Sequence, residues 1–346
     1  MARTAIVLFN LGGPDRPDAV RPFLFNLFND PAIIGLPGPL RWLVAQLISR
    51  RRAPVAQEIY HHLGGGSPLV PLTEEQATAL ESALTTSEEE IKTFICMRYW
   101  HPMSDAVAKA VAAYNPDQIV LLPLYPQFST TTVASSLKDW HRAAKKAHVT
   151  APTRALCCYP TEPGWIAAVA DLVSQTLSSV SGDRPRVLFS AHGLPKKVVD
   201  AGDPYQWQVE QTAAAVVEKL AIEDLDWVVC YQSRVGPLEW IGPSTDQELA
   251  RAGKDGVSVA VVPIAFVSEH SETLVELDIE YRKLAESLSI PGYHRVPTVS
   301  THPLFISGLA GLVREVSARN APVSCQGGKR ICPKNWNGCS LNALSS

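Results

Sequence analysis

The sequence has no surplus of basic charge: 31 Lys and Arg stand against 34 Asp and Glu, a formal net charge of −3. A general nucleic-acid binder is therefore not expected, because there is no cationic excess to neutralise a phosphate backbone. One local basic cluster, Arg50 to Arg52, remains. No long apolar run is present at the start, where Met-Ala-Arg-Thr leads into residues 5–11, too few for a signal-peptide core or a bilayer span. The expectation is a cytoplasmic protein. Low-complexity tracts are absent as well, and 46% hydrophobic against 19% charged residues describes a folded chain and not a disordered one. The seven cysteines, in a chain expected to be cytoplasmic, point to buried thiols or metal ligands in place of disulfides. Neither G-x-G-x-x-G nor the Lys-Ser/Thr of a phosphate loop occurs at the first strand-to-helix turn, so no nucleotide cofactor is indicated.

What is present is an alternation of strands and helices. At 346 residues the chain exceeds a typical single domain. Short apolar runs bounded by Gly, Pro or Asn read as buried parallel strands at 4–9, 93–97, 118–124, 154–158, 186–191, 227–231 and 257–264. Helical periodicity fills the gaps at 105–114, 133–146, 165–178, 205–220 and 271–288. This order predicts an α/β protein with parallel sheets covered on both faces. A fresh strand series near residue 154 places a boundary at about 150, giving domains 1–150 and 151–303, a helix over 304–318 returning to the first, and a tail over 319–346.

In such folds ligands bind beyond the carboxyl ends of strands. Gly12-Gly13 after the first strand allows close backbone approach to a ligand, or equally forms a tight turn. Tyr125 to Thr132, after the third strand, sets the hydroxyls of Ser129, Thr130, Thr131 and Thr132 before a helix, where an anion such as a ligand carboxylate is favoured. Ordinary N-capping is the alternative. His192, ending the fifth strand in Ser190-Ala191-His192-Gly193-Leu194-Pro195, is placed to bind a metal or take a proton. After the seventh strand, Glu272, Glu276 and Glu280 recur every four residues and form one ridge of an α-helix, beside an apolar stripe of Leu274, Leu277, Tyr281, Leu284 and Leu288. No lysines relieve the mutual repulsion of the three carboxylates. They are either a solvated face or a path for a divalent cation.

These blocks resemble the ferrochelatase family. Besides the His192 loop and the stretch Glu269 to Glu280, similar blocks in family order are Leu11-Gly12-Gly13-Pro14, Leu63 to Pro68, Met97 to Pro102, Tyr125-Pro126-Gln127 and Tyr231 to Pro237. The resemblance spans about residues 4 to 318 and implies two similar Rossmann-like halves with a porphyrin cleft between them. It implies insertion of ferrous iron into a porphyrin to make haem, with His192 and Glu272 as the metal-site residues. Trp240, Tyr99 and Arg98 match pocket positions, where aromatic rings stack on a macrocycle and a guanidinium pairs with a propionate. His61 and His62 stand where relatives often carry arginines, and Glu269 where they often carry Asp. A chelatase for another metal such as cobalt, or for another tetrapyrrole, is a sister reading. A haem or porphyrin carrier is the reading from another class, though it would need neither His192 with Glu272 nor an acidic ridge.

Beyond the matched region, Cys325, Cys332 and Cys339 form a C-x6-C-x6-C pattern in a tail too poor in apolar residues to order itself by burial. Zinc and iron–sulfur binding both suit such thiols. Part of the ferrochelatase family carries a 2Fe–2S cluster on three C-terminal cysteines and one from the body, and this resemblance favours the cluster. The animal-type body position is Phe128 here, so the fourth ligand is sought at Cys157 or Cys158; strand alternation lets only one face the tail, and Cys158 is the choice. Cys96 and Cys230 read as core thiols. Residues 33–44 are apolar but for Arg41 and suggest a lip that touches the inner face of a membrane and receives an apolar porphyrin, protoporphyrin being favoured; core burial is the alternative. Oligomeric state is open, a homodimer included.

Overall fold

In the computed structural model, residues 2–86, 89–234 and 236–341 are described, so Val235 of the Tyr231 to Pro237 block and the last five residues of the tail lie outside the description. The chain divides into two compact units. The first holds residues up to Cys158, Leu309–Ile331 and the stretch from Cys339; the second holds Tyr159–Gly308 and Cys332–Gly338.

Among the described residues nine strands form two wholly parallel sheets. β1 (Ala2–Asn10), β2 (Glu89–Met97), β3 (Gln118–Pro123) and β4 (Thr153–Leu156) lie in the first, and β5 (Arg186–His192), β6 (Trp227–Gln232), β7 (Val259–Pro263) and β8 (Tyr293–Arg295) in the second. β9 (Val323–Ser324) closes the first sheet beside β4 through Ala155↔Val323 and Leu156↔Ser324. The sheet orders are β2-β1-β3-β4-β9 and β6-β5-β7-β8. Each sheet thus runs second, first, third, fourth, and the two units share a doubly wound topology. In this order the sheet reverses direction between its first and third strands, at β1/β3 and β5/β7, which is where a crevice opens at the carboxyl ends. Residues 5–9 of β1 and 187–189 of β5 are fully buried because helices cover both faces, which explains their unbroken apolar character.

Two short strands, β8 and β9, have too few residues to show periodicity, and β4 stops at Leu156 and not at Cys158. Larger is the change in the segment expected as one α-helix over 271–288. It is a π-helix over Glu272–Tyr281 followed by an α-helix over Arg282–Ser287. Wider winding moves the core stripe: Thr273, Val275, Leu277, Tyr281 and Ala285 are buried, whereas Leu274, Leu284 and Leu288 are only partly so.

Gly12 adopts φ +81°, and a Cβ there would meet the Met97 Cβ at 3.0 Å and the Trp100 nitrogen at 3.1 Å. Of the two readings of that loop, the tight turn is the one its packing requires.

Candidate active site

The second unit assembles its polar residues at the β5/β7 switch point. β5 ends in His192, and Gly193 follows, its N–H donating to the Gln232 carbonyl at 2.9 Å; a Cβ on Gly193 would meet that same oxygen at 2.9 Å. Backbone therefore passes close under the histidine. From the other side, the segment after β7 turns into the π-helix and brings in Glu272. His192 Nδ1–H donates to Glu272 Oε2 at 2.8 Å, which fixes the ring by the nitrogen that a carboxylate can only accept from. The side chains are 41% and 24% exposed, so the pair meets solvent on one side.

β6 supplies the second layer of contacts. Gln232, held by Ser190 Oγ at 2.8 Å, donates from Nε2 to the Glu272 carbonyl and to Glu276 Oε2, each at 3.0 Å. Ser233, in the left-handed region at φ +59°, donates its N–H to Glu276 Oε1 at 2.8 Å and its hydroxyl to Oε2. Glu276 is thus fixed one step along the π-helix from Glu272, while Glu280 is exposed further on. Arg295, at the end of β8, braces the helix: it pairs with Glu269 at 2.6 Å and grips Asp278 at 2.8 Å. Arg295 holds the Glu269 carboxyl below the usual range, although burial opposes this.

The charges are coupled. Burial disfavours a charged imidazole, but the charge and hydrogen bond of Glu272, with Glu276 behind, raise the His192 pKa. Burial would push Glu272 up, yet His192, then His270 and Ser233, bring it down to about 2. Glu276 goes the other way, raised by burial and by repulsion from Glu272. His270 is the polar neighbour that sequence reasoning missed. It is buried against Phe266 at 4.8 Å, burial lowers its pKa, and Nδ1 makes no hydrogen bond. Its only signal in the sequence was its place two residues before Glu272. Trp240 lies half-buried beside this group, its β-bridge to Pro195 bringing it near Gly193, and its indole N–H is buried without a partner.

The first unit holds the remaining predicted residues. Arg98 and Tyr99 follow β2, and the Tyr99 side chain is fully buried. Arg98 pairs with Asp30 at 2.7 Å and with Ser135 Oγ at 2.7 Å. After β3, the Ser129 and Thr131 hydroxyls share a 2.8 Å hydrogen bond, Ser129 is buried and Thr130 is partly exposed. The helix that follows, Val133–Lys146, has Thr132 as its cap residue without a side-chain capping bond.

Thiols gather at the end of β4. The sulfurs of Cys157, Cys325 and Cys339 lie within 4.8 Å of one another, all buried, with Cys157 and Cys339 3.3 Å apart. Cys158 reaches Cys325 at 3.5 Å. Both adjacent cysteines therefore meet tail thiols, contrary to the expectation from strand alternation: the strand has ended at Leu156, so the pleat no longer sets their directions. Cys332 belongs to the second unit, where Gln208 Nε2 donates to its sulfur at 3.0 Å. Cys96 and Cys230 are buried thiols, pushed up to about 12 by burial, as their apolar strands predicted.

Two doubly wound parallel sheets, with a His–Glu pair and further carboxylates at a switch point, define a chelatase-like α/β protein. The fold is similar to SirB from Bacillus subtilis with Fe3+ (TM-score 0.54, 13% identity, covering 92% of this chain and 96% of that one). It is also similar to the sirohydrochlorin chelatase SirB from Bacillus subtilis subspecies spizizenii in complex with cobalt (TM-score 0.51, 13% identity, 91% and 95%). The ferrochelatase family profile matches residues 3–317. Over 342 residues the chain is 56% identical to the ferrochelatase of Caulobacter vibrioides (strain NA1000 / CB15N), with 97% of each covered. It is 48% identical over 339 residues to that of Pelagibacter ubique (strain HTCC1062), with 97% of this chain and 98% of the other covered. The chain belongs to the ferrochelatase family. It is a lyase that inserts ferrous iron into protoporphyrin IX to make haem, and the readings as a cobalt chelatase or a carrier give way to this.

Proposed function

We propose that iron insertion takes place against the His192–Glu272 pair, with His192 as the proton acceptor and Glu272 as its anchor. The 2.8 Å bond between them carries the reading. Exchanging Fe2+ for two pyrrole protons requires a base beside the ring and a route for the metal. Glu272, with its pKa near 2, is a weak base but a lasting negative charge. His192 is the stronger base, and its half-exposed ring can pass each proton on to solvent. Glu276 and Glu280, further along the same helix, serve ferrous iron as hard oxygen ligands on its way to the site. Trp240 in the second unit and Arg98, Tyr99, Ser129 and Thr130 in the first are the porphyrin-binding residues that the family resemblance implies. To test the catalytic assignment, the purified protein is mixed without oxygen with ferrous iron and protoporphyrin, and the porphyrin spectrum is followed. His192→Ala should lower turnover by at least about a hundredfold, as expected for losing a positioned base. Near-wild-type turnover in the folded variant would overturn the assignment.

The tail thiols suit a resident 2Fe–2S cluster. Support comes from the buried Cys157, Cys325 and Cys339 sulfurs, since the Cys157 thiol, hydrogen-bonded with Cys158, Cys325 and Cys339 and buried, has its pKa driven up, a crowding that a bound cation relieves. Cys325 and Cys339 would hold it with Cys157 or Cys158, and with Cys332 as the remaining family-implied ligand. When bound, such a cluster supplies a one-electron redox centre and a cross-link between the tail and the end of β4.

Residues 33–44 are proposed as a peripheral membrane contact at the inner face of the membrane. Ile33, Leu36, Leu40, Trp42 and Leu43 are all exposed, Leu43 at 58%, which favours the lip over the alternative of core burial. No helix among the described residues is long and apolar enough to cross a membrane.

A further inference from the structure

Directly before the apolar lip lies Asp30, 4% exposed and the centre of a hydrogen-bond network. Its Oδ2 accepts from Arg98 at 2.7 Å, from the Tyr99 hydroxyl at 2.8 Å and from the Ser135 hydroxyl. Oδ1 accepts from the Ala32 N–H at 2.8 Å, and the Asp30 carbonyl accepts from the N–H groups of Ile33 at 3.0 Å and Ile34 at 2.9 Å. The first turn of the lip is therefore wound around this one residue. Arg41 shuts the same loop from its far end, donating to the Asn29 carbonyl at 2.9 Å and the Leu36 carbonyl at 2.7 Å. Tyr99 is tied a second time, by Asn26 Nδ2 to its carbonyl at 3.0 Å.

Arg98 is spent on the same network. Nε donates to Ser135, one terminal nitrogen donates to Asp30, the other lies 3.9 Å from Asp139, and the guanidinium sits 4.9 Å from the centre of the Tyr99 ring. Its side chain is only 16% exposed. With Nε and one terminal nitrogen held by Ser135 and Asp30, a two-pronged grip on a propionate would require Arg98 to leave Asp30, stranding a buried carboxylate at high cost. Buried charged networks stabilise a fold poorly compared with apolar packing, but when every member is satisfied they hold one geometry rigidly.

We propose that Asp30 is a positioning residue for the insertion reaction: it locks Arg98, Tyr99 and the apolar segment 31–44 into one rigid body, so that Arg98 serves porphyrin binding through shape and not as a partner for a propionate. This rests on the reading that the lip and Arg98, braced by the buried Tyr99, meet the porphyrin. The prediction is a selective loss of porphyrin affinity. In detergent micelles, Asp30→Asn should raise the KM for deuteroporphyrin about tenfold, the loss that accompanies one charge-assisted hydrogen bond, and leave kcat and the KM for iron within about twofold. Arg98→Lys should lose the same factor on deuteroporphyrin as on its dimethyl ester, and the double variant should be no worse than the worse single one. Ser135→Ala removes only a hydroxyl and should show the same selectivity at smaller size, which keeps the test open if Asp30→Asn does not fold. A loss in Arg98→Lys confined to the free acid would restore Arg98 as a propionate partner and overturn the proposal. Additive effects of the two substitutions, or a lowered Tm with an unchanged porphyrin KM, would also overturn it. A fall in kcat with an unchanged porphyrin KM would overturn it as well.

Discussion

A proton on His192 and a charge on Glu272 depend on each other. His192 has a folded pKa raised above its unfolded value, so its share of the pair's stability is present below the unfolded value and lost as pH rises through the folded one. For Glu272 the sign is opposite: its share is present above the ordinary carboxylate value and lost as pH falls toward about 2. The ion pair is therefore formed through the mildly acidic range. In Glu272→Gln, burial acts on the imidazole with its main charge partner gone, and His192 should titrate at lower pH than in the wild type. Proton NMR of the ring across a pH series reads this directly, and an unchanged or higher titration point would show that the pair is not what raises His192.

The π-helix is the element on which the acidic residues depend. Each backbone bond there reaches five residues back instead of four, which widens the turn and re-aims the side chains. Tyr293 donates its hydroxyl to the Leu277 carbonyl at 2.6 Å, and Arg295 clamps Asp278, so the altered winding is held from β8. Glu276 is anchored by Ser233 and Gln232, whereas Glu280 reaches the exposed side. Steady-state kinetics should separate their roles: Glu272→Gln lowers kcat, while Glu276→Gln and Glu280→Gln raise the KM for iron. Equal effects of all three on kcat alone would abolish the division between reaction centre and iron path.

At the scale of the whole molecule, the chain returns to its first sheet near its end. β9 pairs beside β4, and the Cys157 N–H donates to the Ser324 carbonyl at 2.7 Å, which accompanies the meeting of Cys339 with Cys157 and of Cys325 with Cys158. Protein purified without oxygen should be reddish-brown and hold about two irons per chain, as a 2Fe–2S centre requires, and Cys325→Ser should remove both colour and iron. Comparing Cys157→Ser with Cys158→Ser by metal analysis and absorption identifies the body ligand. Colourless protein containing zinc would replace the cluster by a zinc site.

Seven of the nine described strands, and the helices that follow most of them, were legible in the sequence because buried parallel strands are continuous apolar runs. His192 and Glu272, 80 positions apart, stood out in the sequence by their places after β5 and β7, and the structure brings them within 2.8 Å of each other. Other features were not local. The π-winding, with Val275 in the core and Leu274 displaced, is set by groups on β8 and not by the helix's own periodicity. The end of β4 at Leu156 turns two adjacent cysteines toward the tail, a placement that strand alternation forbids and pairing with β9 permits. The use of Arg98 by Asp30 joins residues 68 positions apart through a carboxylate with no motif around it. Sequence by itself determined most of the strands and the residue types at their ends, because both follow from short-range pattern; tertiary structure decided the winding of the acidic helix and which charges are already paired, because these depend on what folding places beside them.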